Sequence, residues 1–432
     1  MFGAGLAAAA MGAGSTVAMA KGGPGSGAGL AGNVGAGPDD LEILEGPATP
    51  LPLPPWKYGL DSAATDTVLM FRGNPARNFH GTGPLGDSPA LIWSRDMDSF
   101  ESMLRGVAVT WAGTGWTGQP CRVGGWVFVG GVDRWLYAME AATGRVGWRL
   151  RAGRMFKSSA CLYENRLYIG NVDNILRCVD AATGRVLWKL ETYADLDSSP
   201  CVSGGRLYIA GENGHVRCLD PATGGEIWKT FIGGIGTGSL AGSNGSETSP
   251  AVFDGLVYTA TYDGILYCLD ARDGHVVWKA STGDDTDASP VVHGDHVFAA
   301  AEERASFLYC FDRLTGRRVW RYAGNHGGYW STPAIVGGRA FIGGSGGLHC
   351  VDVATGHQAW MFKTNAAIWS SPCVVGDRVV FGCWDGGLYM LDTATGALVL
   401  RHDLGGRVLS TPCIVNGEIH VGTATGKFFC FK

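Results

Sequence analysis

An all-β, eight-bladed β-propeller with four-stranded antiparallel blades is the fold this 432-residue sequence predicts, closed by an N-terminal strand that completes the last blade. Three observations predict it. Tryptophans recur at near-constant spacing, each behind an Asp-x-x-Thr-Gly stretch. A Ser/Thr-Pro pair, or its equivalent, opens each repeat, and eight such openers occur. The last repeat stops one strand short, while a tryptophan-bearing strand with no blade of its own lies upstream. Forty-residue periodicity with four short strands per unit is the signature of propeller blades.

Within each repeat the elements follow one order. Trp148, Trp188, Trp228, Trp278, Trp320 and Trp360 close a D-x-x-T-G-x-x-x-W stretch or a near copy, as in Asp180-Ala-Ala-Thr183-Gly184 before Trp188. A seventh copy, Asp392 to Gly396, has Leu400 in the tryptophan position. The openers are Gln119-Pro120, Ser159-Ala160, Ser199-Pro200, Ser249-Pro250, Ser289-Pro290, Thr332-Pro333, Ser371-Pro372 and Thr411-Pro412. After each opener come a short apolar strand, a glycine-containing turn and a second strand such as Arg206 to Ala210. Asn213-Gly214, Asp263-Gly264 and Asp385-Gly386 then predict type I′ hairpins, in which both central residues take positive φ. The aspartate of the next turn accepts backbone N–H groups, and its glycine supplies a left-handed residue. The final repeat ends at Lys432 after three strands, so Ala90-Leu-Ile-Trp93 is expected to supply the fourth and close the ring.

Composition excludes several function classes. Net charge is only −5, with no block of like charges, which argues against a nucleic-acid partner. No long glycine-free apolar run exists to span a bilayer. Residues 1–20 read as a signal-like segment ending Ala18-Met19-Ala20, although no basic residue precedes Lys21. Residues 21–67, rich in Gly and Pro, read as a disordered linker, and 68–432 as one propeller.

The Asp-x-x-Thr-Gly-x-x-x-Trp repeat resembles the docking motif of PQQ-type propellers, a group that includes quinoprotein alcohol dehydrogenases and the outer-membrane assembly lipoprotein BamB. Met70-Phe-Arg-Gly-Asn-Pro75, Gly81-Thr-Gly-Pro84 and Gly113-Thr-Gly-Trp-Thr-Gly-Gln-Pro120 resemble bacterial PQQ-like repeat proteins. The resemblance covers roughly residues 68–432. It implies the fold; propellers host many unrelated activities. The dehydrogenases of the group use PQQ with calcium and a catalytic Asp, and many carry a disulfide between adjacent cysteines. None of the 12 cysteines here adjoins another, and no C-x-x-C-H haem motif occurs.

The cysteines fall at repeat-equivalent positions and read as small buried hydrophobes. A more informative position lies three residues before the second residue of each opener. Around the ring it reads Thr117, Lys157, Asp197, Glu247, Asp287, Trp330, Trp369 and Leu409. Equivalent residues face one mouth of the central channel, so acids, indoles and one lysine are expected there together. Trp116, Asp195, Asp284, Asp285, His326 and Tyr329 lie beside this rim in sequence. Such a mouth suits a cation on its acidic side, with Asp285 and Asp287 as metal-ligand candidates, and a flat ring on its indole side. Loops of extra length, between Trp93 and Trp148 and between Trp228 and Trp278, fall on the same face.

The reading that follows is a non-catalytic, monomeric binding scaffold of BamB-like type, with a protein partner and no cofactor. The alternative is a quinone- or metal-binding propeller with PQQ-dependent dehydrogenase-like activity, holding PQQ and calcium at Lys157, Asp197, Glu247, Asp287, Trp330, Trp369 and Trp116. The signal-like segment and the resemblance point to export; the unpaired thiols point to the cytoplasm.

Overall fold

A computed structural model describes residues 44–46, 49–54, 66–104, 107–114, 116, 118–233, 245–302, 307–324 and 328–432. Eight antiparallel sheets radiate from a central channel, their inner strands beginning at Cys121, Cys161, Cys201, Ala251, Val291, Ala334, Cys373 and Cys413; we number the blades 1 to 8 in that order. Blade 3 is typical: Cys201–Ser203, Arg206–Ala210, His215–Leu219 and Glu226–Phe231 pair consecutively from channel to rim. Its second and third strands are almost wholly buried on both faces, because each blade is covered by a neighbour on either side. No helix among the described residues is long and apolar enough to cross a membrane.

Ring closure follows the expected route. Leu91–Asp96 pairs antiparallel with Lys427–Phe431 and completes blade 8. Ala90 and Lys432 exchange both backbone hydrogen bonds beyond it, at 2.7 and 2.9 Å.

The tryptophans join the blades. Each indole N–H donates to a carbonyl in the Asp-x-x-Thr-Gly turn of the next blade, as with Trp148 to Ala181 O at 3.0 Å and Trp188 to Pro221 O at 3.2 Å. Trp93 does the same to Ala141 O of blade 1 at 2.8 Å, so the joint across the chain termini uses the same device. The turn glycine lies under the indole: a Cβ on Gly144 would stand 2.6 Å from Trp93 Cε3, and its φ of +71° is already a left-handed value. The turn aspartate closes its own loop, Asp180 Oδ1 accepting from the Thr183 N–H at 2.8 Å and hydroxyl at 2.7 Å. All twelve cysteines are buried, and none forms a disulfide.

The opener hydroxyls have a structural purpose that their position in the repeat did not reveal. Each accepts the backbone N–H of the preceding blade's opener, from Gln119 N to Ser159 Oγ round to Ser371 N to Thr411 Oγ1, over 2.7–3.3 Å. Gln119, the one opener without a hydroxyl, spans the remaining gap by donating Nε2 to Pro412 O of blade 8 at 2.8 Å.

At the end of the channel away from the rim residues, residues 68–82 form a plug that touches every blade. Its backbone bonds the inner strands of blades 1, 2, 4, 5 and 8 through Arg122, Leu162, Val252, Val292 and Ile414. Its two buried arginines reach the others. Arg72 donates to Pro372 O at 2.5 Å and Pro333 O at 2.6 Å, and Arg77 to Ser199 O at 3.0 Å and Pro250 O at 2.9 Å.

Two sequence expectations need correction. Asn213-Gly214, Asp263-Gly264 and Asp385-Gly386 are not type I′ pairs, since only their glycines have positive φ. Gly214 N bonds Gly211 O at 3.0 Å and Gly211 N bonds His215 O at 3.1 Å, which makes a three-residue loop ending in a left-handed glycine. The two-residue turns with both φ positive lie one hairpin earlier, at Gly204-Gly205, Asp254-Gly255 and Asn416-Gly417. The linker expectation also fails where the structure describes it. Leu44–Glu45 adds a fifth strand to the outer edge of blade 1, and Leu51 is buried with its N–H on Ala182 O at 2.7 Å. Residues 1–43 lie outside the described residues.

Candidate functional site

The rim residues stand in the loops just ahead of the inner strands, at the channel end opposite the plug. Lys157, Asp197, Glu247, Asp287, Trp330 and Trp369 all occupy equivalent positions there, partly or largely buried. Leu409 is fully buried, and Thr117 and His326 lie outside the described residues. The loops between the second and third strands, three residues long in blades 3, 4 and 7 and longer in blade 5, bring up a second tier. Their first residues, Glu212, Tyr262, Glu302 and Trp384, each bond backbone to the rim loop of the same blade, as Glu212 N does to Asp195 O at 3.3 Å.

These tiers gather two carboxylate groups. Oxygens of Asp197, Glu212 and Glu247 lie within 4.8 Å of one another, as do oxygens of Asp285, Asp287 and Glu302. The Tyr262 hydroxyl donates to Glu247 Oε1 at 2.5 Å. Burial and the charges of Glu247, Glu212, Asp287 and Asp197 hold that phenol well above its usual range. Burial, with Asp197 and Glu247 beside it, likewise pushes the Glu212 carboxyl well up.

Lys157 joins the acidic half of the mouth to the aromatic half. Its Nζ is 2.5 Å from Asp197 Oδ2 and 4.5 Å from the Trp116 ring centroid. Burial opposes its charge, but Asp197, Glu247 and Glu212 outweigh that and hold the ammonium above its usual range. Trp116 meets Trp369 edge-on at 6.0 Å, and Trp369 contacts Trp330 at 5.7 Å and Trp384 at 4.5 Å. Arg407 lies over the Trp384 ring, 5.0 Å from its centroid. Sequence register therefore found the first tier and missed Glu212, Tyr262, Glu302 and Trp384. For Glu212, Tyr262 and Trp384 the signal was the residue preceding the Asx of an Asx-Gly pair; Glu302 precedes no such pair and carried no signal. The first long loop is a two-stranded hairpin, Ser99–Leu104 with Val107–Ala112, leading to Trp116; most of the second, residues 234–244, lies outside the described residues.

The crowding of acids has a measurable consequence. Burial, with Asp197 nearby, raises the Asp195 carboxyl from 3.8 to about 6. Its folded value exceeds its unfolded one, so its contribution to stability is full below about pH 4 and is lost as pH rises through about 6. Asp195→Asn is expected to raise the thermal midpoint at neutral pH and leave it unchanged near pH 4. Equal shifts at both pH values would show that Asp195 carries no such penalty.

The family model described as outer membrane protein assembly factor BamB matches residues 87–322 and 304–382. A search of curated protein sequences finds no match. Among solved structures, the quinohemoprotein alcohol dehydrogenase ADHIIG from Pseudomonas putida HK5 is similar at TM-score 0.68 and 15% identity, covering 85% of this chain and 80% of that one. A europium-containing methanol dehydrogenase gives 0.69 and 13%, covering 85% and 98%. The computationally designed Ika8 protein gives 0.61 and 16%, covering 74% and 97%. At such identities these likenesses show the fold alone. With well over half of the chain matched, this protein belongs to the PQQ-like propeller family described as outer membrane protein assembly factor BamB.

Proposed function

We propose that the chain is a non-catalytic binding scaffold whose ligand face is the channel mouth, and that it recognises a cationic group of a protein partner. One observation carries this reading: Lys157 bridges Asp197 and Trp116, so that carboxylates and indoles form one continuous rim. The plug occupies the far end of the channel, so a ligand would reach the mouth from the opposite side. A guanidinium or ammonium entering it meets carboxylates on one side and ring faces on the other, the two chemistries that hold a desolvated cation.

Titration of the purified chain with a hexa-arginine peptide, followed by tryptophan emission, tests it. Binding is expected to weaken by about tenfold or more in Asp197→Asn/Glu247→Gln, the scale of a lost interfacial charge contact. Trp330→Ala/Trp369→Ala is expected to lose most of the emission change. A hexa-glutamate peptide binding equally well would overturn the reading.

The two carboxylate groups favour a second reading, a metal- or quinone-binding propeller with oxidoreductase chemistry. Their hard oxygens suit calcium. A quinone bearing three carboxylates fits less well: the cation at the centre of the described mouth, Lys157, is already held by Asp197. Native mass spectrometry with calcium and PQQ separates the cases. A bound mass lost in Asp287→Ala and Trp330→Ala would favour this second reading, and an unliganded protein would remove it.

A further inference from the structure

On the face opposite the acidic mouth, a cavity of about 640 Å³ opens between blades 3 and 4 beside the plug. Its volume lies in the range of small-molecule sites, roughly 300–1,000 Å³. Pro75, Ala76, Val252 and Phe253 give it an apolar wall, and Phe253 is 39% exposed. Arg206, Arg272 and Arg313, from three successive blades, also line it, against one carboxylate, Asp254.

The repeat does not require arginine at two of these positions. Arg313 stands where the other docking turns have Ala141, Ala181, Pro221, Ala271, Val353 and Thr393. Trp278 uses only its carbonyl, at 3.0 Å. Arg272 stands where they have alanine or, in blade 5, Leu314. Side chains at these positions are therefore free of the docking geometry, and in these consecutive blades both turn basic around one cavity.

Charge is left over there. Arg272 is paired with Asp270 at 2.7 Å and Arg313 with Asp254 at 3.1 Å. Arg206 has no carboxylate within ion-pair distance among the described residues. Its Nη1 is pinned instead by two carbonyls, Ala271 O and Arg272 O, both at 2.9 Å. Carbonyls orient a guanidinium without neutralising it, so a fixed positive charge stays at the cavity wall. Arg313 keeps Nε and Nη1 buried with no acceptor among the described residues, and its guanidinium lies 5.1 Å from the Phe253 ring centroid.

We propose that this cavity is a second ligand site, which takes a small organic anion: a carboxylate or phosphate head on Arg206, with an apolar body against Phe253 and Val252. It is independent of the acidic mouth. Saturation-transfer NMR and calorimetry with phenylacetate, phenyl phosphate, neutral phenylacetamide and cationic phenethylamine test it on the full chain. An anion is expected to bind about tenfold or more tightly than the amide or the amine, and the stronger of the two acids identifies the head group. Arg206→Gln is expected to remove about tenfold of that affinity, with Arg206→Lys recovering part of it. The exposed Arg272→Gln, which leaves the Arg206 contacts to backbone intact, should weaken binding in the same direction. Asp197→Asn, in the opposite mouth, should leave it unchanged. Equal binding of acid and amide, no anion binding to folded protein, or a loss caused by Asp197→Asn alone would each overturn the proposal.

Discussion

Replacing Arg77 with alanine lowers the stability of the propeller by about 3–5 kcal/mol, read as a large fall in the urea unfolding midpoint. The side chain is fully buried. Its guanidinium donates to Pro250 O at 2.9 Å, Phe71 O at 2.7 Å, Ser199 O at 3.0 Å and Pro200 O at 3.3 Å. Removing it strands these carbonyls where no water replaces the donor, and leaves a void among the inner strands. Burial pulls the arginine's own pKa down, so part of what is lost repays a desolvation cost, which keeps the net effect below the sum of its bonds. Arg77→Lys should fall between, since one ammonium cannot reach both blades. A midpoint no lower than that of the exposed control Arg185→Ala would show that the plug is dispensable to the ring.

Trp148→Ala costs a similar amount, about 3–5 kcal/mol, because it deletes a large buried ring together with its hydrogen bond. The indole is 2% exposed, packs 5.9 Å from the Phe128 ring and donates to Ala181 O at 3.0 Å. The telling comparison is Leu400, which occupies the same register position in blade 7. Blade 8 has no Asp-x-x-Thr-Gly turn, since its third strand ends at Phe431 and its outer strand begins at Leu91. A tryptophan there would find no turn to dock on. Leu400→Ala is therefore expected to cost only about 1–2 kcal/mol, and Leu400→Trp to stabilise nothing. Thermal midpoints of the three variants decide it; a stabilising Leu400→Trp would show that the tryptophan acts by volume alone.

The candidate site was legible in proportion to its periodicity. Lys157, Asp197, Glu247, Asp287, Trp330 and Trp369 came from register alone, because a closed ring of equivalent blades carries equivalent residues to the same height. Glu212, Tyr262 and Trp384 escaped through one error of turn type. A two-residue turn leaves no residue ahead of the Asx, whereas the three-residue loop places one over the mouth. The linker expectation erred for a related reason. Gly/Pro-rich composition measures what a segment buries in itself, and says nothing of an open strand edge on blade 1 waiting to be paired.

The blade count, the closing strand at Trp93 and the docking of each tryptophan were determined by the sequence alone. Each is a contact between neighbouring repeats, made again and again with the same residues at the same spacing, so a single pattern specifies the whole ring. The plug was decided only in three dimensions. Arg72 reaches Pro372 across 300 residues and Arg77 reaches Pro250 across 173, contacts made once each and therefore invisible to any repeat. The same holds for Lys157 on Trp116 and for the arginines that converge between blades 3 and 4. A repeat fixes where side chains stand around the axis. Which of them meet, and which charge is left without a partner, depends on the closed ring bringing distant blades to one axis.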